Sequence, residues 1–397
     1  MPPRPRILYV NNSADLYGAS RALLRVLQPL RERGFEPVVV VPERGPLQER
    51  IEALGIQVIL DPGLSIVDRA RLNSWRALGF FLGFPFNVLR FFNLIRRERI
   101  ALVHTNTAVM PSPALAAWLA DVPHVWHMRE IFDEFRSGWK FYWRYLHAFS
   151  TRIPCMSEAI AAQFPNRRKT CVLFDGLPLE EYPPAAVGSR AEAKANFQLG
   201  SGPVIGCVGR IKFVRKGQEV LVQAAALLKQ RGLAAKLLLV GAPAPGNEEH
   251  GERLRKLIHD LGLDGDVVLT GELADPKPAY AAMDIFVLPS AQAEPFGLVV
   301  LEAMALGCPV VATAIGGPLS IVAEGETGFL VPPGDAKALA DKLEVLLRDV
   351  ALRERMAAAG RARLESKFSF ANTVNELEAL YREVLKERAG SPQNPAR

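Results

Sequence analysis

Short apolar runs alternate with stretches of helical periodicity along the first half of the chain. Seven such runs precede residue 175: RILYV (6–10), PVVVV (37–41), QVIL (57–60), ALVHT (101–105), HVWHM (124–128), RIPCM (152–156) and TCVLF (170–174). A strand that is apolar on both faces is typical of a parallel sheet covered by helices on each side. The pattern therefore predicts a doubly wound α/β domain over residues 1–180.

The same alternation restarts after a turn-rich stretch. The predicted strands are PVIGCVG (203–209), KLLLVG (236–241), DVVLTG (266–271), DIFVLP (284–289) and PVVAT (309–313), and the chain from 335 to 388 reads as helical. The predicted parts are a linker (181–202), a second doubly wound domain (203–368), a C-terminal helix crossing back to the first domain (369–388) and a flexible tail (389–397). Two such domains are expected to face a central cleft, with ligands at the carboxyl ends of the strands.

Composition favours a soluble cytoplasmic protein. Of 397 residues, 49% are hydrophobic and 23% charged, which is typical of globular domains. The cysteines form no CxxC pair and lie in or beside apolar runs, which predicts buried, reduced thiols; they are Cys155, Cys171, Cys207 and Cys308. The N-terminus enters a strand without the apolar run of a signal peptide, so we expect no export.

Positive charge is concentrated in the first half. Residues 1–180 carry 23 Lys and Arg against 16 Asp and Glu, a net charge of +7. No nucleic-acid-binding motif accompanies this excess. Two aromatic and basic segments, 76–99 and 138–149, are either ordinary core helices with solvated basic ends or a surface that docks on an anionic membrane. Because Pro85 and Arg90 interrupt the first segment, we predict no transmembrane helix there.

Glu294 and Glu302 flank the segment EPFGLVVLEA, where a loop turns into a helix. Their spacing puts them about 80° apart on a helical wheel, so both can face one cleft at the helix N-terminus. Gly297 lets a ligand approach the backbone, where the N–H groups of Phe296, Gly297 and Leu298 can donate. Carboxylates beside such donors suit a polyhydroxylated, phosphorylated ligand. Solvated surface charge is the alternative interpretation.

Cations follow the strand PVIGCVG. Arg210 lies at its end, and Lys216 precedes a glycine that opens a helix. Two cations and a helix N-terminus at one sheet edge are suited to hold a diphosphate. Lys212 and Arg215 lie nearby, so the sequence leaves open which cation binds phosphate, and a solvated basic loop is the alternative.

These motifs together resemble retaining nucleotide-sugar glycosyltransferases of the GT-B fold, specifically glycosyltransferase family 4. The most specific stretches run from DIFVLPSAQAEPFGLVVLEAMALGCPVVATAIGG to GETGFLVPPGD. The resemblance implies that Arg210 and Lys216 hold the donor diphosphate, that Glu302 binds the ribose and that Glu294 contacts the transferred sugar. It further implies that Phe296–Leu298 line the sugar pocket and that backbone near Glu272 and Leu273 grips the base.

The resemblance also implies roles for the first domain. Gly18 matches the glycine loop near the phosphates, although a structural turn is the alternative. His127 matches a histidine near the reacting face of the sugar. The alternative is that it is a structural histidine with its hydrogen bonds made inside the fold. Weaker acceptor-side candidates lie in or just after the strands that end near residues 105 and 128: His104, Asn106, Arg129 and Glu130.

Three features depart from the family pattern. The spacing from Arg210 to Lys216 is one residue longer than the common form, which makes Arg215 a rival to Lys216. Ser320 stands where a glutamate is frequent, and the loop glycine doublet is reduced to Tyr17-Gly18. These departures bear mainly on the acceptor side.

The expected activity is transfer of a sugar, with retention of configuration, from a nucleoside-diphosphate donor, UDP or GDP, to a glycan or lipid-linked acceptor. We predict no bound metal and no cofactor, and a cytoplasmic location that includes peripheral contact with the inner membrane face. The alternatives are a sugar-nucleotide epimerase on the same fold, a two-lobed sugar-binding protein without catalysis, and an inactive partner subunit.

Overall fold

The computed structural model describes residues 4–67, 76–132, 136–183 and 189–390. The chain divides into two compact units, one formed by residues 1–175 and 373–397 and the other by residues 176–372. We call them unit 1 and unit 2.

Unit 1 contains a five-stranded parallel sheet in the order β3-β2-β1-β4-β5 and a separate parallel pair, β6-β7. The strands are β1 (Arg6–Val10), β2 (Glu36–Val41), β3 (Gln57–Leu60), β4 (Leu102–Thr105), β5 (His124–Trp126), β6 (Ile153–Cys155) and β7 (Thr170–Val172). Each strand coincides with a predicted apolar run. β1, β4 and β5 are almost wholly buried, as the two-sided apolar pattern requires.

Helices lie between these strands: α1 (Gly18–Glu32), α2 (Pro46–Ala53), α3 (Arg76–Arg97), α4 (Ser112–Leu119), α5 (Arg136–Phe149) and α6 (Glu158–Ala161). The inner face of α3 places Val88, Phe91 and Ile95 in the unit 1 core against β1, β2 and β4.

The expectation that segment 76–99 is too interrupted to span a membrane is wrong as far as length is concerned. Helix α3 continues through Pro85, and Leu78–Arg97 is long and apolar enough to cross a bilayer by length and composition alone. Its buried residues, however, form part of the unit 1 core. Moving the helix into a bilayer would therefore expose that core to water, at a cost of about 25 cal/mol per Å² of apolar surface.

Unit 2 contains a six-stranded parallel sheet in the order β10-β9-β8-β11-β12-β13. Its strands are β8 (Val204–Val208), β9 (Lys236–Val240), β10 (Val267–Gly271), β11 (Ile285–Leu288), β12 (Val310–Thr313) and β13 (Gly328–Val331). The first five coincide with predicted runs, whereas β13 was not predicted. It has only four residues, and its place in the sheet comes from pairing with β12.

The helices of unit 2 are α7 (Arg190–Asn196), α8 (Gln218–Gln230), α9 (Glu249–Asp260), α10 (Lys277–Ala282), α11 (Leu298–Ala305), α12 (Pro318–Ile321), α13 (Ala336–Arg348) and α14 (Val350–Lys367). Helix α7 lies inside the segment 181–202 that was expected to be a linker. Ser189 and Glu192 form a capping box at its start, and buried Lys194 contacts Asp284 at 2.7 Å. These contacts attach the segment to unit 2.

The last helix, α15 (Phe370–Gly390), belongs to unit 1 from Thr373 onward. The Tyr381 hydroxyl contacts His104 Nδ1 at 2.7 Å, and Arg33 pairs with Glu378 at 2.6 Å. The four cysteines are free thiols, of which Cys171 is half-buried and the other three are buried.

The predicted fold class, two doubly wound parallel-sheet domains, is confirmed. In each sheet the strand order reverses once, between β1 and β4 in unit 1 and between β8 and β11 in unit 2. Ligands of such sheets bind where the order reverses, beyond the carboxyl ends of the strands. The loops after β8 and β11 are therefore the places to look for a ligand site in unit 2.

Candidate active site

Close backbone contact joins the loops after β8 and β11. Gly217, the N-cap of α8, has a φ of 69°, and a Cβ there would lie 1.8 Å from the Pro289 carbonyl oxygen. The amides of Ala291 and Gln292 both donate to the Arg215 carbonyl, at 3.1 and 3.2 Å. The glycine after Lys216 is thus required for packing, and it fixes the position of the cationic loop.

Lys216 and Glu294 meet at this junction. Lys216 Nζ lies 2.5 Å from Glu294 Oε2, with the two side chains 28% and 19% exposed. The Ser290 hydroxyl donates to the same oxygen at 3.4 Å. One cation and one carboxylate, 78 residues apart in sequence, therefore share a partly open place beside the first turns of α8 and α11. The first N–H groups of a helix have no acceptor within the helix, so both ends favour a bound anion.

Glu302 is held by two tyrosine hydroxyls. Tyr182 donates to its Oε1 at 3.0 Å and Tyr280 to its Oε2 at 2.7 Å. Burial, together with the neighbouring Glu302 carboxylate, raises the pKa of Tyr280 well above its usual value of 10.0, so this hydroxyl stays a donor. Neither tyrosine was predicted as a site residue, because its distance from Glu302 in the sequence does not indicate a contact.

The turn before α11 is packed against the tandem glycines. A Cβ on Gly316 would lie 2.2 Å from the Glu294 carbonyl oxygen, and one on Gly317 would lie 2.1 Å from that of Phe296. The Gly317 amide donates to the Glu294 carbonyl at 2.7 Å. Gly297 has a φ of 103° at the N-cap of α11. The glycine pair thus shapes the turn that presents Glu294, while Phe296 is buried and Leu298 begins the helix.

The remaining predicted donor residues lie at the same edge of the sheet. Arg210 is exposed two residues after β8, and Arg215 is half-buried in the same loop. Exposed Glu272 and half-buried Leu273 directly follow β10, the edge strand two positions from β8. Among the described residues, no three His, Cys, Asp or Glu side chains cluster as metal ligands.

The acceptor-side candidates of unit 1 lie in a buried polar network. Asn106 Nδ2 donates to Asn11 Oδ1 at 2.8 Å, and its Oδ1 accepts from Arg129 Nε at 3.2 Å. Arg129 also pairs with Asp175, and both side chains are nearly inaccessible. The network gives Asn106 and Arg129 internal hydrogen bonds that join the loops after β1, β4 and β5.

Gly18 and Glu130 lie at the edges of this network. Gly18 is the first residue of α1, and no other atom lies within 4 Å of the Cβ position there. Glu130 Oε2 accepts from the amides of Ala108 and Arg129, each at 3.1 Å. Burial raises the pKa of Glu130, and these amides and the Arg129 charge partly oppose the shift.

His127 is buried beside His104, with ring centroids 5.5 Å apart. Within the described ranges, its Nε2 has no hydrogen-bond partner. A cavity of about 10 Å³ adjoins both rings, with Arg129 and Asp175 among its other lining residues. Burial, with the Arg129 charge, holds the pKa of His104 and of His127 well below 6.5. Both imidazoles are therefore neutral at physiological pH.

These histidines predict a pH-dependent stability. Burial also lowers the pKa of His124 to about 3, so three native imidazoles exclude protons that the unfolded chain accepts below about pH 6.5. The free energy of unfolding should then fall as pH decreases, by about 1.4 kcal/mol per pH unit for each histidine. The raised pKa of Glu130 acts in the opposite direction.

Urea unfolding at about pH 7.5 and 5.5 measures this effect. In the variant His124→Asn, the free energy of unfolding should depend less on pH, by the contribution of one histidine. An unchanged slope in the variant would contradict the assignment of His124 as a buried neutral group.

Both units match family models. Residues 17–173 match the model described as Glycosyltransferase Family 4, and residues 189–363 match Glycosyl transferases group 1. The chain is 32% identical over 324 residues to the capsular polysaccharide biosynthesis glycosyltransferase CapM of Staphylococcus aureus, a match that covers 77% of this chain and 82% of that protein. The fold and these matches define a glycosyltransferase of the GT-B class. The chain belongs to glycosyltransferase family 4.

A second relative is also named as a glycosyltransferase, and two solved structures share the fold. The chain is 36% identical over 244 residues to the D-inositol 3-phosphate glycosyltransferase of Corynebacterium urealyticum, covering 58% of this chain and 55% of that protein. HepE of Anabaena, solved in complex with UDP, superposes with a TM-score of 0.80 at 23% identity, covering 95% of this chain and 100% of HepE. A glycosyltransferase of Rickettsia africae superposes with a TM-score of 0.80 at 21% identity, covering 96% and 99%.

Proposed function

We propose that this glycosyltransferase moves a sugar from a UDP or GDP donor to an acceptor hydroxyl with retention of anomeric configuration. The observation that carries the proposal is the pairing of Lys216 with Glu294 at 2.5 Å, at a junction where two helices begin. In the proposed complex the cation turns to the diphosphate and the carboxylate accepts from sugar hydroxyls. HepE, which shares the fold, has been solved with UDP-glucose, which supports this donor class.

Glu302 is proposed to bind the ribose. A carboxylate has four lone-pair sites, so it can accept from two vicinal hydroxyls at once. The two tyrosine donors occupy part of that capacity and hold the carboxylate in a single orientation. This arrangement reduces the conformational entropy that a flexible glutamate would lose on binding. Backbone near Glu272 and Leu273 is the proposed base contact.

Cations and helix ends are proposed to stabilise the leaving diphosphate. As the bond between the anomeric carbon and the phosphate oxygen breaks, charge develops on the diphosphate near Arg210 and Lys216. The acceptor oxygen forms the new bond on the same face, and its proton passes to the departing phosphate oxygen. No metal and no covalent nucleophile are required in this scheme.

His127 is the proposed sugar contact from unit 1. Its Nε2 lacks a partner among the described residues, whereas Asn106, Arg129 and Glu130 make internal hydrogen bonds. A buried polar atom without a partner costs about 1–3 kcal/mol, and a sugar hydroxyl would relieve that cost. Asn106, Arg129, Glu130 and Gly18 are then proposed to shape the loops that accept the other substrate.

The names of the relatives indicate the acceptor class to test. CapM acts in capsular polysaccharide biosynthesis, and LpsE of Rhizobium meliloti, 40% identical over 168 residues, acts in lipopolysaccharide core biosynthesis. The proposed acceptor is accordingly a glycan or a lipid-linked glycan of the cell surface.

Donor binding and product stereochemistry test the proposal. The full chain is titrated with UDP, GDP and their sugars in excess EDTA, and thermal unfolding is followed. A true donor at 100 times its Kd should stabilise the fold by about 2.7 kcal/mol. NMR of the transfer product should show the anomeric configuration of the donor, at an unchanged rate in EDTA. An inverted product would refute the retaining mechanism.

Incubation with donor alone separates the alternatives. An epimerase would isomerise the sugar of the donor without acceptor, whereas the proposed enzyme gives only slow hydrolysis. Binding without hydrolysis or transfer would indicate a non-catalytic sugar-binding protein.

A further inference from the structure

Helix α3 exposes an apolar stripe that no described part of unit 1 covers. Leu78, Phe81, Leu82, Phe86 and Leu89 are 57% to 72% exposed. At 100° per residue they fall within an arc of about 140°, over about 16 Å of helix axis. Exposed side chains of this size usually occur singly on a soluble protein, so such a contiguous group indicates a contact surface.

Arginines follow the stripe on the same helix. Helix α3 contains four arginines and no acidic residue. Arg96 and Arg97 are exposed in its last turn, and Arg97 keeps 70% of its side chain accessible beside Glu98. Arg90, between the stripe and this end, pairs with Asp61. A groove of about 440 Å³ next to it is lined partly by Arg90 and Arg97.

The inner face of α3 fixes the orientation of the stripe. Val88, Phe91 and Ile95 are nearly inaccessible in the unit 1 core, so the helix cannot rotate to bury its outer residues. Its axis therefore lies along the surface of unit 1. A partner must meet the helix from the side, with apolar contacts first and anionic contacts about 10 Å further along.

We propose that this face of α3 docks unit 1 on an anionic lipid bilayer, with the apolar stripe in the interfacial region and Arg96 and Arg97 against lipid phosphates. An apolar face followed by cations suits a bilayer, which offers acyl chains and anionic head groups within a few ångströms of each other. The net charge of +7 on residues 1–180 adds long-range attraction. This inference rests on unit 1 alone and is independent of the proposed transfer reaction.

Vesicle sedimentation tests the proposal. The full chain is mixed with vesicles of phosphatidylcholine alone and with vesicles that also contain phosphatidylglycerol. Binding should require the anionic lipid and weaken as salt increases. Replacing two stripe residues, Phe81→Glu with Phe86→Glu, should lower binding by roughly 100-fold, because each buried phenylalanine contributes about a factor of ten or more. Replacing the cations, Arg96→Gln with Arg97→Gln, should lower it by about tenfold.

Matched controls come from unit 2. Val345 and Val350 are 44% and 54% exposed, so the double variant Val345→Glu with Val350→Glu adds the same charge at exposed apolar positions. This control variant should bind anionic vesicles as the native chain does. The milder pair Leu82→Gln with Leu89→Gln tests the stripe again if the glutamate pair does not fold. Equal binding by stripe and control variants, or no binding to anionic vesicles at low salt, would overturn the proposal. Light scattering would also overturn it if the native chain is a dimer that dissociates only in the stripe variants. A second copy of the chain would then cover this face of α3.

Discussion

Replacing Lys216 with methionine is expected to lower kcat/KM for sugar transfer by about two to three orders of magnitude. The loss of one donor aimed at developing charge typically has this effect. The substitution keeps most of the volume of the side chain, so unit 2 should stay folded. Steady-state kinetics with a donor found by the binding panel measure the change. Lys229→Met is the matched control, because Lys229 lies at the far end of helix α8, which Lys216 precedes, and its side chain is 54% exposed.

The partner residue sharpens this test. Glu294→Gln removes the charge that pairs with Lys216 at 2.5 Å and should cost a similar factor. Since the two side chains act together, the double variant should lose much less than the product of the single losses. Arg215→Met distinguishes the rival cation. Near-normal turnover in Lys216→Met, with a large loss in Arg215→Met, would transfer the phosphate-binding role to Arg215.

Gly317→Ala is expected to destabilise unit 2 by about 3 kcal/mol and to abolish donor binding. A Cβ there would lie 2.1 Å from the Phe296 carbonyl oxygen and 2.2 Å from its Cα. The backbone of the turn must therefore shift, and it carries Glu294 with it. The φ of Gly317 is −60°, which alanine adopts freely, so the effect is steric and not conformational.

Gly265→Ala provides the comparison. Apart from its two chain neighbours, no described residue places an atom within 4 Å of the Cβ position at Gly265. This variant should therefore unfold at the same urea concentration as the native chain and bind donor normally. Equal stability of the two variants would show that the turn adapts. In that case the tandem glycines would not be what holds Glu294 in place.

The sequence was sufficient to predict the elements whose signal is local. Strands such as β2 and β9 are apolar on both faces and bounded by turns, so their burial follows from residue type alone. Lys216 was found because it precedes a glycine at a loop-to-helix junction, and Glu294 because it lies eight residues before Glu302 in the segment EPFGLVVLEA. The fold class followed from the alternation of these elements.

Other features depend on contacts between distant residues. Strand β13 is fixed by its pairing with β12, and helix α7 by the contact of Lys194 with Asp284, 90 residues away. The tyrosines on Glu302 come from separate segments, one of them 120 residues distant. No pattern within one segment reports such contacts. The length of α3 was missed for a different reason, because a proline inside a helix normally ends it.

Helix α15 makes unit 1 discontinuous in sequence. Its Tyr381 is fully buried against Tyr9 and His104, and its Glu383 and Glu387 both contact Arg152. During synthesis these residues leave the ribosome only after all of unit 2 has emerged. One side of the N-terminal sheet therefore stays uncovered until helix α15 has been synthesised, and a chain truncated before residue 373 would lack the helix that completes unit 1.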